Sequence, residues 1–187
     1  MLMAMKFYQP SLRLRSRELE FDIWREANLV ESYGTSKEGL AVAVARRGFN
    51  VYTIGRHLRH SFVDAIADKI EGVNYGMLEL LYKDTRKKFR AMHLKNMNLN
   101  VAPSELKDAL RSSHIPILLT STTLLGEEEE LPHWVVLTGY SEDAYYLNNP
   151  LAKAGNTRVN RTALEENLGY RGVQCAVVLR GLRRQGP

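Results

Sequence analysis

Hydrophobic and polar residues follow two different periods along the chain, helical in the first half and β-like in the second. Met1 to Met5 is an apolar, helix-forming segment closed by Pro10, and no Ser, Thr, Asp or Asn precedes it as a cap. A second, amphipathic helix is predicted after Ser16, because apolar residues recur there between charges at helical spacing. These residues are Leu19, Ile23, Trp24 and Ala27. The chain is therefore expected to begin inside one helix and to continue into another.

Four more helices are predicted further along. Leu40 to Ala45 is a continuous apolar run, and Thr35 and Glu38 stand three residues apart before it, so a capping box is expected to open a buried helix. The other three are predicted over Arg59 to Ile70, Asn74 to Phe89 and Ser104 to Leu110. In the Asn74 helix, the residues expected to face the core are Met77, Leu80, Leu81 and Phe89.

The β-rich runs are short and fall mainly in the second half of the chain. Strands are predicted over Asn50 to Ile54, Ile115 to Thr120, His133 to Tyr140, Tyr145 to Asn148 and Val173 to Arg180. This segregated order favours an α+β fold with a small antiparallel sheet packed on a helical half. We expect one domain over residues 1–187, mainly helical over 1–90, with a sheet half over 98–180 and a flexible basic tail over 181–187.

The amino-acid composition limits the classes of function that this chain can have. With 187 residues and 44% hydrophobic residues, the chain can bury one core, and its longest apolar runs are far shorter than a membrane helix of about 18 residues. The formal charge of +5 favours weak anion binding without requiring nucleic acid. One cysteine cannot form an internal disulfide, so a reducing compartment, by default the cytoplasm, is expected.

The hairpin predicted from the strands His133 to Tyr140 and Tyr145 to Asn148 brings two polar residues together. If the chain reverses at Ser141 to Asp143, His133 at the start of one strand lies near Asn149 at the end of the next, on strands about 5 Å apart. An imidazole held by an amide oxygen is the base and orienter of a Cys-His-Asn hydrolase. The alternative is a strand-start histidine and an asparagine that caps the turn before Pro150.

The residues around this pair resemble the histidine and acid/amide motifs of papain-like cysteine peptidases. The motifs are Pro132 to Tyr140 and Tyr146 to Pro150, and Phe21 to Ala27, Gly34 to Ala41 and Arg46 to Phe49 resemble the helical half of the same family. The most similar type is the bacteriocin-processing one, family thirty-nine of the cysteine peptidases, in its soluble bacterial branch. The resemblance extends over about Met1 to Leu179 and implies a thiol hydrolase of peptide or amide bonds, with His133 and Asn149 as catalytic residues.

The chain departs from that family at two points. The family has an oxyanion glutamine and a Cys-Gly-Pro-Ala motif at the head of a helix whose continuation is similar to Leu2 to Lys6, and neither motif is present here. The resemblance therefore implies a chain truncated before the catalytic cysteine and inactive as given, either because the start lies too late or because it is a pseudo-peptidase that kept the cleft. The family also usually has aspartate where Asn149 stands, and an amide stabilises the imidazolium less.

Other candidate residues carry weaker signals. Cys175 lies in a strand-like run, where core packing is expected rather than a thiolate. The remaining histidines, His57, His60, His93 and His114, lack ligand spacing. We therefore expect no metal and no cofactor.

Two charged segments leave alternatives open. Glu127 to Glu130 is read either as a solvated loop or as a rim that selects substrates with basic residues or a free amino terminus. Lys83 to Lys95 is basic, as a helix end often is, but it permits an alternative function as an interaction module that binds RNA or an acidic partner. A peptide-like substrate is the expected partner, with nucleic acid and membrane not expected, and the resemblance adds a possible functional link to an acetyltransferase domain.

Overall fold

The fold is α+β, with helices packed on both faces of one seven-stranded sheet that is mostly antiparallel. The computed structural model describes residues 1–12, 17–27, 34–56, 64–65, 72–150 and 155–183. None of the helices within these ranges is long and apolar enough to span a bilayer.

The described helices match most of the predicted helical segments. They are α1 (Leu2–Tyr8), α2 (Arg17–Ala27), α3 (Lys37–Arg46), α4 (Tyr75–Ala91), α5 (Pro103–Arg111) and α6 (Arg161–Glu166), with a short 3₁₀ helix at Thr122–Leu125. Helix α1 starts without a side-chain cap, as its sequence predicts, and its first turn is buried through Leu2, Ala4 and Met5. Helix α6 was not predicted, and Asn160 caps it by accepting from the Ala163 amide.

The sheet order is β2-β1-β7-β3-β4-β5-β6. The strands are β1 (Phe49–Gly55), β2 (Lys95–Met97), β3 (Ile115–Ser121), β4 (Pro132–Tyr140), β5 (Ala144–Asn148), β6 (Thr157–Asn160) and β7 (Cys175–Leu182). Only the β1–β2 pair is parallel among the described strands. The sheet is larger than predicted, because β2 and β6 were not expected.

Alternate residues of the central strands enter two different cores. On β3, Ile115 and Ile117 pack against the face that carries α1, α2 and α3. Leu118 packs against the opposite face, where Leu106 of α5 and Leu164 of α6 are fully buried. This alternation explains why Ile115 to Thr120 is apolar throughout, since both of its faces are covered.

Several details of the helix predictions are wrong. Ser36, not Thr35, caps α3 by accepting from the Gly39 amide. In α4 the buried residues are Leu78 and Phe89, whereas Met77 and Leu80 are 46% and 63% exposed. Trp24 of α2 is also exposed.

The remaining points concern the end of the last predicted strand and the predicted segments that lie outside the described residues. The last strand continues to Leu182, so the first two residues of the predicted flexible tail are paired in the sheet. Ser16 and most of the predicted Arg59 to Ile70 helix lie outside the described residues, which include only positions 64–65 of that segment.

Candidate active site

The β4–β5 hairpin brings His133 and Asn149 into contact. Val136 of β4 lies opposite Asn148 of β5, so the side chain that follows β5 lies beside the start of β4. His133 Nε2 is 2.9 Å from Asn149 Oδ1, and Asn149 is buried. The contact predicted from the hairpin register is present.

The hydrogen bond fixes the tautomer of the neutral ring. An amide oxygen can only accept, so with Oδ1 facing the ring the proton of neutral His133 lies on Nε2. Nδ1 then carries the lone pair and is the basic atom. A nucleophile that His133 activates would therefore have to approach Nδ1.

The surroundings of His133 favour the neutral base. Burial lowers the pKa of His133 from its ordinary value of 6.5, while the hydrogen bond to Asn149 and the charge of Glu127 act in the opposite direction. Because burial is the largest effect, the imidazole is neutral near pH 7 and can accept a proton.

Trp134, the neighbour of His133, faces the other side of the sheet. Its ring packs with Leu119, and its Nε1 donates to the carbonyl oxygen of Thr35 at 3.3 Å. This bond ties the start of β4 to the segment that leads into α3. The backbone of His133 is thereby fixed from the face opposite to its imidazole.

The acidic segment before β4 is a loop that hydrogen bonds and an ion pair hold in place. Thr122 donates its amide to the Leu131 carbonyl at 2.9 Å, and its hydroxyl accepts from the Leu131 amide at 2.8 Å. Glu130 is paired with Arg171 at 2.9 Å. Glu127 is exposed, and its charge acts on His133. Both readings of this segment, solvated loop and substrate rim, remain compatible with these contacts.

Cys175 is separated from His133 in the sheet. It lies opposite Gly55 on β1 and packs with Leu119 and Trp134, on the face opposite to the His133 side chain. Burial raises the pKa of its thiol to about 12, and the charge of Lys37 only partly opposes this effect. The expected core role is consistent with this burial.

A buried polar cluster at the end of β1 was missed by the sequence reasoning. Lys37 Nζ donates to the carbonyl oxygens of Gly55 and Arg56 at 2.5 and 3.1 Å, and it lies 3.9 Å from the Glu38 carboxylate. Asn96 of β2 also donates to the Gly55 carbonyl, at 3.1 Å. A lysine in the first turn of a helix interacts unfavourably with the helix dipole. This unfavourable position is the only sign in the sequence that Lys37 binds partners outside its own helix.

The basic segment forms a surface on α4. Lys83, Arg86, Lys87 and Arg90 line a cavity of about 230 Å³. Phe89 is buried rather than exposed among these cations, so it offers no ring for a base to stack on. Within the described ranges, no three ligating side chains are grouped as a metal site needs. His57 and His60 lie outside these ranges.

The fold and the His133–Asn149 pair define an α+β protein in which a half-buried imidazole on β4 contacts the buried amide that follows β5. The profile of the Peptidase_C39 like family matches residues 1–166, and the chain belongs to that family. The comparison with curated proteins found no match.

One solved structure is similar, that of a candidate C39-like peptidase from Bacillus anthracis. The identity is 18% and the TM-score 0.37, over 58% of this chain and 59% of that chain. The match therefore spans less than two thirds of that protein's length. The family membership does not favour the alternative of a basic interaction module.

Proposed function

We propose that this chain is the base-bearing part of a papain-like cysteine peptidase of the bacteriocin-processing type, acting on a peptide or amide bond. His133 is the general base and then the general acid, and Asn149 orients its ring. The observation that carries the proposal is the 2.9 Å hydrogen bond from His133 Nε2 to Asn149 Oδ1, which leaves Nδ1 as the proton acceptor.

The chemistry assigns each proton to a named atom. Nδ1 of His133 takes the proton of a thiol, and the thiolate attacks the scissile carbonyl. The imidazolium then gives this proton to the leaving amine, and a water molecule, deprotonated by the same nitrogen, hydrolyses the thioester. Asn149 stays hydrogen-bonded to Nε2 throughout and holds the ring in place.

The thiol of this mechanism is not Cys175, the one cysteine of the chain, because Cys175 is buried and burial raises the pKa of its thiol to about 12. We propose that it belongs to a Cys-Gly-Pro-Ala segment before Met1, in line with the family resemblance. Helix α1 packs against β3 and β7, and Tyr8 at its C-terminal end donates to the Ser113 carbonyl just before β3. Helix α1 lies on the sheet face opposite to the His133 side chain, so a thiol before Met1 would have to reach Nδ1 past the end of the sheet where Thr120 and His133 are paired.

The acidic loop is the proposed selector of substrate. Glu127 is exposed, and its charge reaches His133, so a cationic group of a bound peptide beside the scissile bond would meet this carboxylate. We propose a preference for peptides with a basic residue or a free amino terminus near the cleaved bond. Glu130 is held by Arg171 and is assigned to loop structure instead.

The test compares two chains with a fluorogenic peptide. The chain as given is expected to show no turnover. A chain extended before Met1 by a segment with the glutamine and Cys-Gly-Pro-Ala is expected to cleave the peptide and to react with a thiol-directed peptide probe. His133→Ala in the extended chain should reduce turnover by at least about 10³-fold, since base and nucleophile act as a unit.

Cys175→Ser is the matched control, and it should leave the activity of the extended chain unchanged. Turnover by the chain as given that survives His133→Ala and disappears with Cys175→Ser would overturn the assignment. An extended chain that folds but neither cleaves nor reacts would favour the pseudo-peptidase that kept the cleft.

A further inference from the structure

Two polar side chains flank His133 from opposite sides. Asn149 follows β5 and engages Nε2. Thr120 lies on β3, the other neighbour of β4, directly opposite His133 in the register. Directly opposed residues project on the same face of a sheet, with Cβ atoms about 4.5–5.5 Å apart. The imidazole therefore has a polar neighbour on each side.

The hydroxyl of Thr120 is buried, and it makes no hydrogen bond within the described residues. Thr120 is 0% exposed, and in the described part of the chain its Oγ1 is the buried side-chain atom that has no hydrogen-bond partner. The five preceding residues of β3 are apolar, and valine has the same shape as threonine. A buried hydroxyl is costly to leave unpaired, so its presence at this position needs a partner.

His133 offers the complementary atom. With Nε2 donating to Asn149, the neutral ring has one acceptor left, Nδ1. The Thr120 hydroxyl is a donor that lacks an acceptor within the described residues. Because the two residues are directly opposed on paired strands, a χ1 rotation of Thr120 or one intervening water molecule would bring the two atoms together.

We propose that Thr120 is a positioning residue for His133, whose hydroxyl donates to Nδ1, directly or through one water molecule, while no thiol occupies that atom, and yields Nδ1 to the thiol of the proposed mechanism. This bond and the one to Asn149 hold the ring between β3 and β5 and select the tautomer with the proton on Nε2. The inference rests on the proposed function in treating His133 as the base. Glu127, from the loop before β4, is the charged group that acts on the ring, and Asn149 and Thr120 are its polar neighbours.

The first test is an NMR titration of His133 in the chain as given, in Thr120→Val and in Thr120→Ser. The hydroxyl can donate to the neutral Nδ1 and accept from the protonated one, so its removal in Thr120→Val is expected to change the pKa of His133, in one direction or the other, by about half a unit or more. Thr120→Ser keeps the hydroxyl and should leave the pKa near that of the unsubstituted chain. An unchanged pKa in Thr120→Val, or an equal shift in both variants, overturns the proposal.

The second test uses stability and does not depend on the titration. At a pH where His133 is neutral, Thr120→Val should lower the melting temperature, because it removes a hydrogen bond. In a His133→Ala background the hydroxyl has lost its acceptor, so the same substitution should raise the melting temperature. A rise of equal size in both backgrounds would show that the hydroxyl has no partner in His133.

A third measurement uses the unsubstituted protein, so it does not depend on whether a variant folds. The ¹⁵N resonance of Nδ1 in the neutral ring is expected upfield of a free imine nitrogen, and an unshifted resonance contradicts the proposal. None of the three measurements needs a thiol or turnover. A failure here therefore leaves the proposed peptidase function standing, and an inactive extended chain leaves the Thr120 assignment standing.

Discussion

Gly55 and Cys175 lie opposite each other at the ends of β1 and β7, and the approach is so close that a Cβ on Gly55 would stand 2.8 Å from the Cys175 Cβ. The same added atom would lie 2.9 Å from the Gln174 carbonyl oxygen. Gly55 also has a φ of +135°, which side-chain-bearing residues rarely adopt. Two independent constraints therefore require glycine at the end of β1, next to the carbonyl that Lys37 and Asn96 bind.

Gly55→Ala is expected to lower the free energy of unfolding by about 2 kcal/mol or more, because backbone strain and a clash with β7 add together. Urea unfolding followed by circular dichroism measures the change. Gly48→Ala is the matched control, since Gly48 has a φ of +82° and an added Cβ there meets nothing within 4 Å. Equal losses in both variants would show that the contact with Cys175 is not close.

The Cys175 thiol is expected to resist modification in the folded protein. Burial raises its pKa to about 12 from an ordinary value of 9.0, so the thiolate is scarce at pH 8. A chromogenic disulfide reagent should react slowly with the native chain and within minutes in denaturant. Rapid native reaction that the denaturant does not accelerate would place the thiol at the surface.

The raised pKa of Cys175 also predicts how the stability of the fold changes at alkaline pH. The unfolded thiol ionises near pH 9 and the folded one near pH 12, so above pH 9 the unfolded state releases its proton first. The contribution of Cys175 to stability is therefore complete below about pH 9 and is lost as the pH rises towards 12. Cys175→Ala should remove this part of the alkaline loss.

The candidate site was predictable because its signals are local. His133 and Asn149 belong to one hairpin, and a short turn between two β-rich runs fixes their register to within a residue or two. The buried helix α3 was equally predictable, because an unbroken apolar run predicts burial on every face of the helix. In both cases residues close in sequence carry the whole signal.

The parts that sequence reasoning missed depend on distant partners. Strand β2 has only three residues, and its parallel pairing with β1 cannot be read from its own composition. The inward face of α4 was misplaced because Met77 and Leu80 share the helical period of the buried residues, and contacts with α3 decide between them. The partners of Lys37 could not be predicted from its position in the first turn of α3, because they are the carbonyls of Gly55 and Arg56, which are distant in the sequence.

Lys37→Met is expected to destabilise the fold by about 3 kcal/mol. The substitution removes the cation that lies 3.9 Å from the buried Glu38 carboxylate, and it removes the donor to Gly55 and Arg56. Thermal unfolding measures the loss. Lys83→Met on α4 removes an exposed lysine, 68% accessible and paired with Glu79, and should change stability by less than about 1 kcal/mol. A Lys37→Met protein as stable as this control would contradict the buried cluster.

Asn149→Asp and Asn149→Ala are expected to shift the pKa of His133 in opposite directions. The Asn149 hydrogen bond raises the pKa, so its removal in the alanine variant lets burial lower the value further. An aspartate in hydrogen-bond contact stabilises the imidazolium by its charge, so the pKa should rise by about one unit or more. NMR titration of the His133 ring protons measures both shifts. Asn167→Asp, which adds the same charge on the exposed residue after α6, is the control and should leave His133 unchanged.

The two variants also differ in their stability at acid pH. In the unsubstituted protein the folded pKa of His133 lies below the ordinary value of 6.5, so the unfolded chain binds the proton first and stability falls as the pH drops below about 6.5. Asn149→Ala should deepen this loss and Asn149→Asp should reduce or reverse it, because a raised folded pKa makes protonation favour the native state. Melting temperatures between pH 5 and 8 test both signs. If the two variants follow the same pH profile, the side chain at position 149 does not contact the His133 ring in solution, and the base and orienter roles assigned to this pair are wrong.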